Sequence, residues 1–250
     1  MRRLLPLALT AFAVASPALA FDITAMTDAE RAAFNQAVRD YLVQNPDVLV
    51  EAYATLQRQE EAAQADREQA ALADNHDAIF NDANSWVGGN PDGDVTVVEF
   101  IDYRCGYCRK AWEEVDELVK EDGKIRFVLK EYPILGEGSV LSSRFAIAVR
   151  MLHGDEAYKA AHDALLTLRA DPSAETLGRL AGELGLDPAP LLAKMDSDEV
   201  TAIIQANHAL ADTLGISGTP TFVIDGKVVH GYVAPEVMRQ IVAGERENAG

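Results

Sequence analysis

Cys105 and Cys108 are the two cysteines of this 250-residue chain, and they stand as Cys105-Gly106-Tyr107-Cys108. A pair at this spacing serves zinc, copper and redox sites alike, so the flanking sequence has to decide. The motif follows the β-branched, apolar run Val95-Thr96-Val97-Val98-Glu99-Phe100-Ile101 and opens a segment of helical periodicity over residues 108–121. Cys108, Trp112, Val115 and Val119 share one stripe of that helix, which turns Cys108 toward a core. Cys105 falls at the helix start, where unpaired amides and the positive end of the dipole favour a thiolate. Arg104 and Arg109 push the same way, and Glu113 and Glu114 oppose them. An exposed thiol of low pKa beside a shielded partner supplies the attacking and resolving cysteines of thiol–disulfide exchange.

A tetrahedral zinc site needs four ligands. His76, His153, His162, His208 and His230 lack the close spacing of a zinc pair and read as surface or packing histidines. No metal and no other cofactor is therefore expected. Two-coordinate Cu(I) on Cys105 and Cys108 stays chemically open. No phosphate-binding glycine loop is present either: Gly88-Gly89 precedes the strand instead of following it.

The elements that must position this pair can be traced outward from it. Ile125 to Tyr132 reads as a second strand, and residues 139–214 return to helical patterns punctuated by Gly154, Asp171-Pro172, Gly185 and Asp187-Pro188. Thr221 to His230, with Asp225-Gly226 at its centre, carries a strong hairpin signal, and a final helix is expected over residues 235–243. The order β-α-β, helical block, β-β-α describes an α/β domain with helices inserted in its middle.

Upstream, residues 27–83 read as helix almost throughout. Thr27 and Glu30 form a capping box, and Phe34, Val38, Tyr41 and Leu42 make an apolar stripe. Asn45-Pro46 restarts the helix, with Asn45 expected as its N-cap, and Val48, Leu49, Ala52, Tyr53 and Leu56 make a second stripe. Gln57 to Ala71 has no apolar residue larger than alanine and reads as a solvated connector. The two stripes must be buried somewhere, either on the main core or on copies of themselves. Gly88-Gly89-Asn90-Pro91-Asp92-Gly93 marks a boundary of turn residues.

Residues 1–20 read as an address. Arg2 and Arg3 precede the apolar run Leu4 to Val14, and Ala18-Leu19-Ala20 supplies small residues for cleavage after about Ala20. A spanning helix wants about 20 apolar residues, and Ser16-Pro17 interrupts this run. The expected location is the periplasm, where disulfides persist. With 22 basic and 40 acidic residues the formal net charge is −18, so phosphate backbones and anionic lipid are repelled and no nucleic-acid partner is expected.

Strand, Cys-x-x-Cys, helix, and then Gly218-Thr219-Pro220-Thr221-Phe222 before a later strand resemble the thioredoxin fold in its DsbA-like branch. The resemblance implies a thioredoxin-like α/β domain over residues 85–245 with a helical insertion over about 137–214. It makes residues 21–84 an N-terminal helical extension. It also implies a cis Pro220 beside the active-site pair, with Thr219 before it, and a buried acid at Glu99. That carboxylate would take the proton of the resolving thiol, and Lys130 on the next strand is a candidate partner for it. Pro220 and Thr219 would line a substrate groove, with Tyr107 adding apolar contact; Tyr132-Pro133 is a weaker candidate there, since Tyr132 suits core packing.

The DsbA oxidase has Pro-His between its cysteines, and Gly106-Tyr107 departs from it. Threonine before the cis-proline resembles the DsbC and DsbG isomerases instead. The helical extension, the Gly-Gly-Asn-Pro boundary and Cys-Gly-Tyr-Cys together resemble the suppressor-of-copper-sensitivity (ScsC-like) thiol-disulfide proteins. The resemblance implies a disulfide isomerase or reductase acting on cysteine-containing exported proteins. It further implies a membrane thiol-disulfide reductase as redox partner and a homo-oligomer, a trimer among its forms. A DsbA-like dithiol oxidase and an oligomeric Cu(I)-binding protein without turnover are the alternatives.

Overall fold

In the computed structural model the described residues are 23–248, so the leader expected over residues 1–20 lies outside them. The chain divides into two compact units, Met1–Glu60 and Glu61–Gly250. In the first, α1 (Asp28–Gln44) starts at the expected capping box: the Thr27 hydroxyl accepts from the Glu30 amide, and the Glu30 carboxylate accepts from the Thr27 amide at 2.9 Å. No residue of α1 is buried. Phe34, Val38, Tyr41, Leu49, Tyr53 and Leu56 are all exposed. Asn45 departs from expectation. Its side chain donates to the Tyr41 carbonyl at 2.8 Å, so it closes α1 instead of opening α2 (Asp47–Asp74). Its backbone amide donates to the same carbonyl at 2.9 Å, so both Asn45 donors close the last turn of α1.

The second unit is built on five strands in the order β1-β3-β2-β4-β5. β2 (Val95–Ile101), α4 (Gly106–Asp122) and β3 (Ile125–Glu131) form a parallel βαβ unit. β4 (Thr221–Ile224) pairs antiparallel with β2 and turns at Asp225-Gly226 into β5 (Lys227–His230). Alternation along β2 and β3 serves two cores. Val97, Ile101, Phe127 and Leu129 face the layer that contains α4 and Cys108. Val98, Phe100, Val128 and Tyr132 face the other, with Ile79, Phe80, Leu210 and Leu214. A central strand covered on both sides explains why β2 reads as a continuous apolar run.

The sequence reading missed β1 (Trp86–Gly89), which pairs antiparallel with β3 at the sheet edge. Its glycines look like loop. A side chain at Gly88 would collide with the Trp86 ring, and one at Gly89 with the Ile125 carbonyl. Close packing here excludes the residues that signal a strand.

Between β3 and β4 lie α5 (Glu137–Thr167), α6 (Ala174–Glu183), α7 (Pro188–Met195) and α8 (Asp198–Thr213). Gly154 breaks the regular path of α5 with φ 83°, a conformation that glycine adopts without strain. The final helix, α9 (Pro235–Asn248), closes the order. Among the described residues no helix is long and apolar enough to cross a membrane.

Lys130 does not pair with Glu99. In the parallel register Glu99 stands opposite Leu129, so Lys130 is one residue out of step and projects from the other face. There its buried ammonium donates to Asp82 at 2.9 Å and to Ser85 at 3.0 Å. This ion pair ties the segment after α3 (His76–Phe80) to the sheet. Asp82→Ala should destabilise the fold by about 3 kcal/mol, because it strands a buried charge. Lys130→Met, which removes that charge, should cost much less. Equal losses of melting temperature in the two variants would contradict this account.

Candidate active site

Cys105 is the N-cap of α4, in extended conformation, and contributes no capping bond of its own. Its backbone carbonyl accepts from Arg109, which starts the helix. Cys108 sits one turn in, fully buried among Val115, Val119 and the sheet residues of the same core. The helical stripe therefore turns Cys108 inward as expected. Cys105 is less open than expected, keeping only 7% of its surface. Its thiol donates to the Thr219 carbonyl at 3.2 Å.

The Thr219–Pro220 peptide is cis, and Thr219, the residue before the proline, lies against Cys105. Three elements thus meet at Cys105: the end of β2, the start of α4 and the turn into β4.

The electrostatics separate the two thiols. A hydrogen bond from the Cys108 thiol, with help from the Thr219 side chain and the amides of Tyr107 and Cys108, draws Cys105 down to about 5 in spite of burial. Burial pushes Cys108 far up, and its hydrogen bond to Cys105 and the charge of Glu99 add to that. Only the thiolate is a nucleophile, and Cys105 is the thiol of the pair that its surroundings favour in that form. Glu99 lies 2% exposed, and its Oε1 has no hydrogen-bond partner. Burial, with the nearby charge of Cys105, raises it to about 8.

The flanking arginines also hold the active-site loop in place. Arg109 donates through Nε to the Tyr103 carbonyl at 2.9 Å and through Nη2 to the Leu168 carbonyl at 3.0 Å. Arg104 donates to Asp171 at 2.9 Å. Their donors are taken up by the Tyr103 carbonyl and by residues 168 and 171 of the insertion.

Tyr107 is 63% exposed and stacks on Tyr232, with ring centroids 6.3 Å apart, while Lys110 lies 3.9 Å over the Tyr232 ring. Tyr132 is buried and donates to the Ile216 carbonyl at 3.0 Å, which is core packing. The sequence reading also passed over Asp102. This buried carboxylate accepts from the Arg104 amide at 2.8 Å and from the amides of Ile134 and Leu135 at 2.8 and 3.0 Å. An Asp three residues before the nucleophile was the available signal, since such a side chain readily binds amides two residues on. Its bonds to residues 134 and 135 had no local signature.

A model of the DSBA-like thioredoxin domain matches residues 96–243 of the chain, and a model of the copper resistance protein ScsC N-terminal domain matches residues 30–63. The crystal structure of a thioredoxin-like oxidoreductase from Silicibacter pomeroyi is 44% identical, covering 68% of this chain and 97% of that one, with a TM-score of 0.64. Proteus mirabilis ScsC in a transitional conformation is 28% identical over 91% of this chain and 100% of that one, with a TM-score of 0.65. The Na(+)/H(+) antiporter NhaA of Herminiimonas arsenicoxydans is 28% identical over 64% of this chain and 25% of its own length. The chain spans about a quarter of such curated antiporters.

Proposed function

Because the chain belongs to the family of DSBA-like thioredoxin domains, we propose that it is a periplasmic thiol-disulfide oxidoreductase, acting as an isomerase or reductase on misfolded exported proteins. The observation that carries this reading is the pairing of Cys105, held at about 5, with a fully buried Cys108 of much higher pKa. The Cys105 thiolate attacks a substrate disulfide, and one substrate sulfur leaves as a thiolate. A second substrate thiol can then displace Cys105, which moves the disulfide and returns the dithiol. Alternatively Cys108 loses its proton to Glu99 and attacks the Cys105 sulfur. The substrate leaves reduced, and the Cys105–Cys108 disulfide must be reduced again by a membrane thiol-disulfide reductase.

Thr219 and Pro220 would bind substrate backbone beside the nucleophile. The Tyr107 ring, stacked on Tyr232, would take an apolar side chain next to the attacked cysteine. Residues 21–84 serve as the extension that joins copies of residues 85–245. The apolar side chains left exposed on α1 and the first half of α2 support this reading. A monomer in sedimentation of the full mature chain would remove the homo-oligomer from it.

The deciding experiment adds the reduced protein in catalytic amount to scrambled ribonuclease. Recovery of ribonuclease activity is the expected result. No recovery, with oxidation of a reduced peptide by the disulfide form, would make it an oxidase. Stoichiometric Cu(I) uptake without any exchange would overturn both.

Glu99 gives a separate prediction. With its pKa at about 8, most of the population is protonated at pH 7, so resolution by Cys108 should accelerate as pH rises through 8. Glu99→Gln should slow that step by about 100-fold and flatten its pH profile. The alkylation rate of Cys105 should be nearly unchanged. Stopped-flow release of a mixed disulfide measures both.

A further inference from the structure

Tyr103, two residues before Cys105, is fully buried, and its side chain enters a polar group that the exchange steps do not use. Its Oη donates to Glu131 Oε1 at 2.8 Å, and the Tyr158 Oη donates to the same oxygen at 2.6 Å. The Tyr103 Oη also lies 3.2 Å from His162 Nδ1. A phenol has one proton. With that proton on the carboxylate, the remaining contact must be donated by His162 as its Nδ1–H tautomer. The ring is neutral, since burial pushes its pKa down to about 3.

This group joins three parts of the fold: the loop between β2 and α4, the end of β3, and the second half of α5. Its members are 103, 131, 158 and 162 in the chain, so no local spacing announces them. The loop is fixed to α5 a second time, because Arg109 links the Tyr103 carbonyl to the Leu168 carbonyl at the C-terminal end of that helix.

The arrangement is an expensive one. Glu131 Oε2 is buried without a partner, and burial lifts the carboxyl to about 7 against the pull of Tyr158, Ser143 and Tyr103. The Ser143 hydroxyl is close enough to favour the charge but makes no hydrogen bond of good geometry. An apolar cluster of equal volume would fill the space at lower cost. What it could not do is fix the depth and direction of one ring at the root of the active-site loop.

We propose that Tyr103 is a positioning residue for Cys105: gripped by Glu131 and His162, it sets where the loop holds the nucleophile against Thr219 and the first amides of α4. This inference rests on Cys105 being the exchange nucleophile. Tyr158 shares the same carboxylate oxygen but stands on α5, outside the loop, and so serves as an internal control.

The test compares Tyr103→Phe with Tyr158→Phe in the full mature chain, by melting temperature, by thiolate absorbance of Cys105 against pH, and by exchange rate. Each variant removes one donor from Glu131, so similar losses of stability are expected. Tyr103→Phe should also raise the Cys105 pKa by about half a unit, roughly a threefold change in the thiolate equilibrium, and slow exchange severalfold. Tyr158→Phe should leave the Cys105 pKa in place. Equal movement in both variants, or movement in neither, overturns the proposal.

If Tyr103→Phe does not fold, Glu131→Gln and Glu131→Leu decide. The amide keeps an acceptor for both phenols and should hold the Cys105 pKa, while leucine should shift it; equal values overturn the proposal. A wild-type protein with no low-pKa thiol and no exchange would instead defeat the functional reading on which this rests.

Discussion

Cys105→Ser should leave no measurable disulfide exchange, a loss on the order of 10⁴-fold or more, since a covalent mechanism without its nucleophile keeps only background rate. The hydroxyl is un-ionised at neutral pH, and it forms no disulfide. In the parent protein the same thiol can be followed by alkylation. With Cys105 at about 5, the rate should be nearly flat from pH 8 to about 6. Below about 5 it should fall tenfold per pH unit, as the thiolate fraction does. The sign for stability follows from the same shift. The folded pKa lies below the unfolded value of about 8.5. The reduced fold therefore holds its full gain above about 8.5 and loses it progressively as pH falls through 5. A reaction profile centred near 8.5, or residual turnover in Cys105→Ser, would show that another group attacks.

Cys108→Ser should behave in the opposite way: attack proceeds, resolution does not. Cys105 becomes trapped as a mixed disulfide with any substrate that lacks a second thiol in reach, seen as a mass increase that a reductant reverses. The steady-state reduction of such substrates should stop after one event per site. Cys108 is fully buried in the core packed under α4, so serine there also loses some packing, and the melting temperature should be read alongside. The first attack should slow as well. The Cys108 thiol is the largest influence lowering Cys105, and a serine hydroxyl replaces that donor imperfectly. Free release of substrate from Cys108→Ser, with no mixed disulfide, would assign resolution to another group.

Much of the site could be read along the chain because its signals are local. A continuous apolar run, a cysteine at a helix start and a second cysteine on the inner stripe are each fixed by residues within one or two turns. The periods of strand and helix do the rest. The Asp225-Gly226 turn was legible for the same reason, since Asp225 adopts φ 44° beside a glycine and so closes the hairpin. Where the reading failed, the deciding contact lay far away. Position along neighbouring strands suggests Lys130 as a partner for Glu99, and the register separates them by one residue. β1 reads as a boundary because its glycines make room for the Trp86 ring and the Ile125 carbonyl. Adjacency to the cysteines likewise gives no sign that Arg104 and Arg109 are bound to residues 171 and 168.

The local sequence is enough to make the two thiols unequal and to set Cys108 deeper than Cys105. A helix start and its periodicity impose that inequality whatever surrounds them. The size of that inequality and the groups that maintain it come from contacts between distant elements. The Thr219 side chain helps to lower Cys105 from 114 positions away, and Glu99 becomes a buried carboxyl only once α4 covers its face of the sheet. Tyr103 meets Glu131, Tyr158 and His162 through chain segments that share no pattern. Such contacts depend on the relative placement of whole elements, which is settled by the burial of apolar faces. The polar side chains that meet there leave no periodic trace.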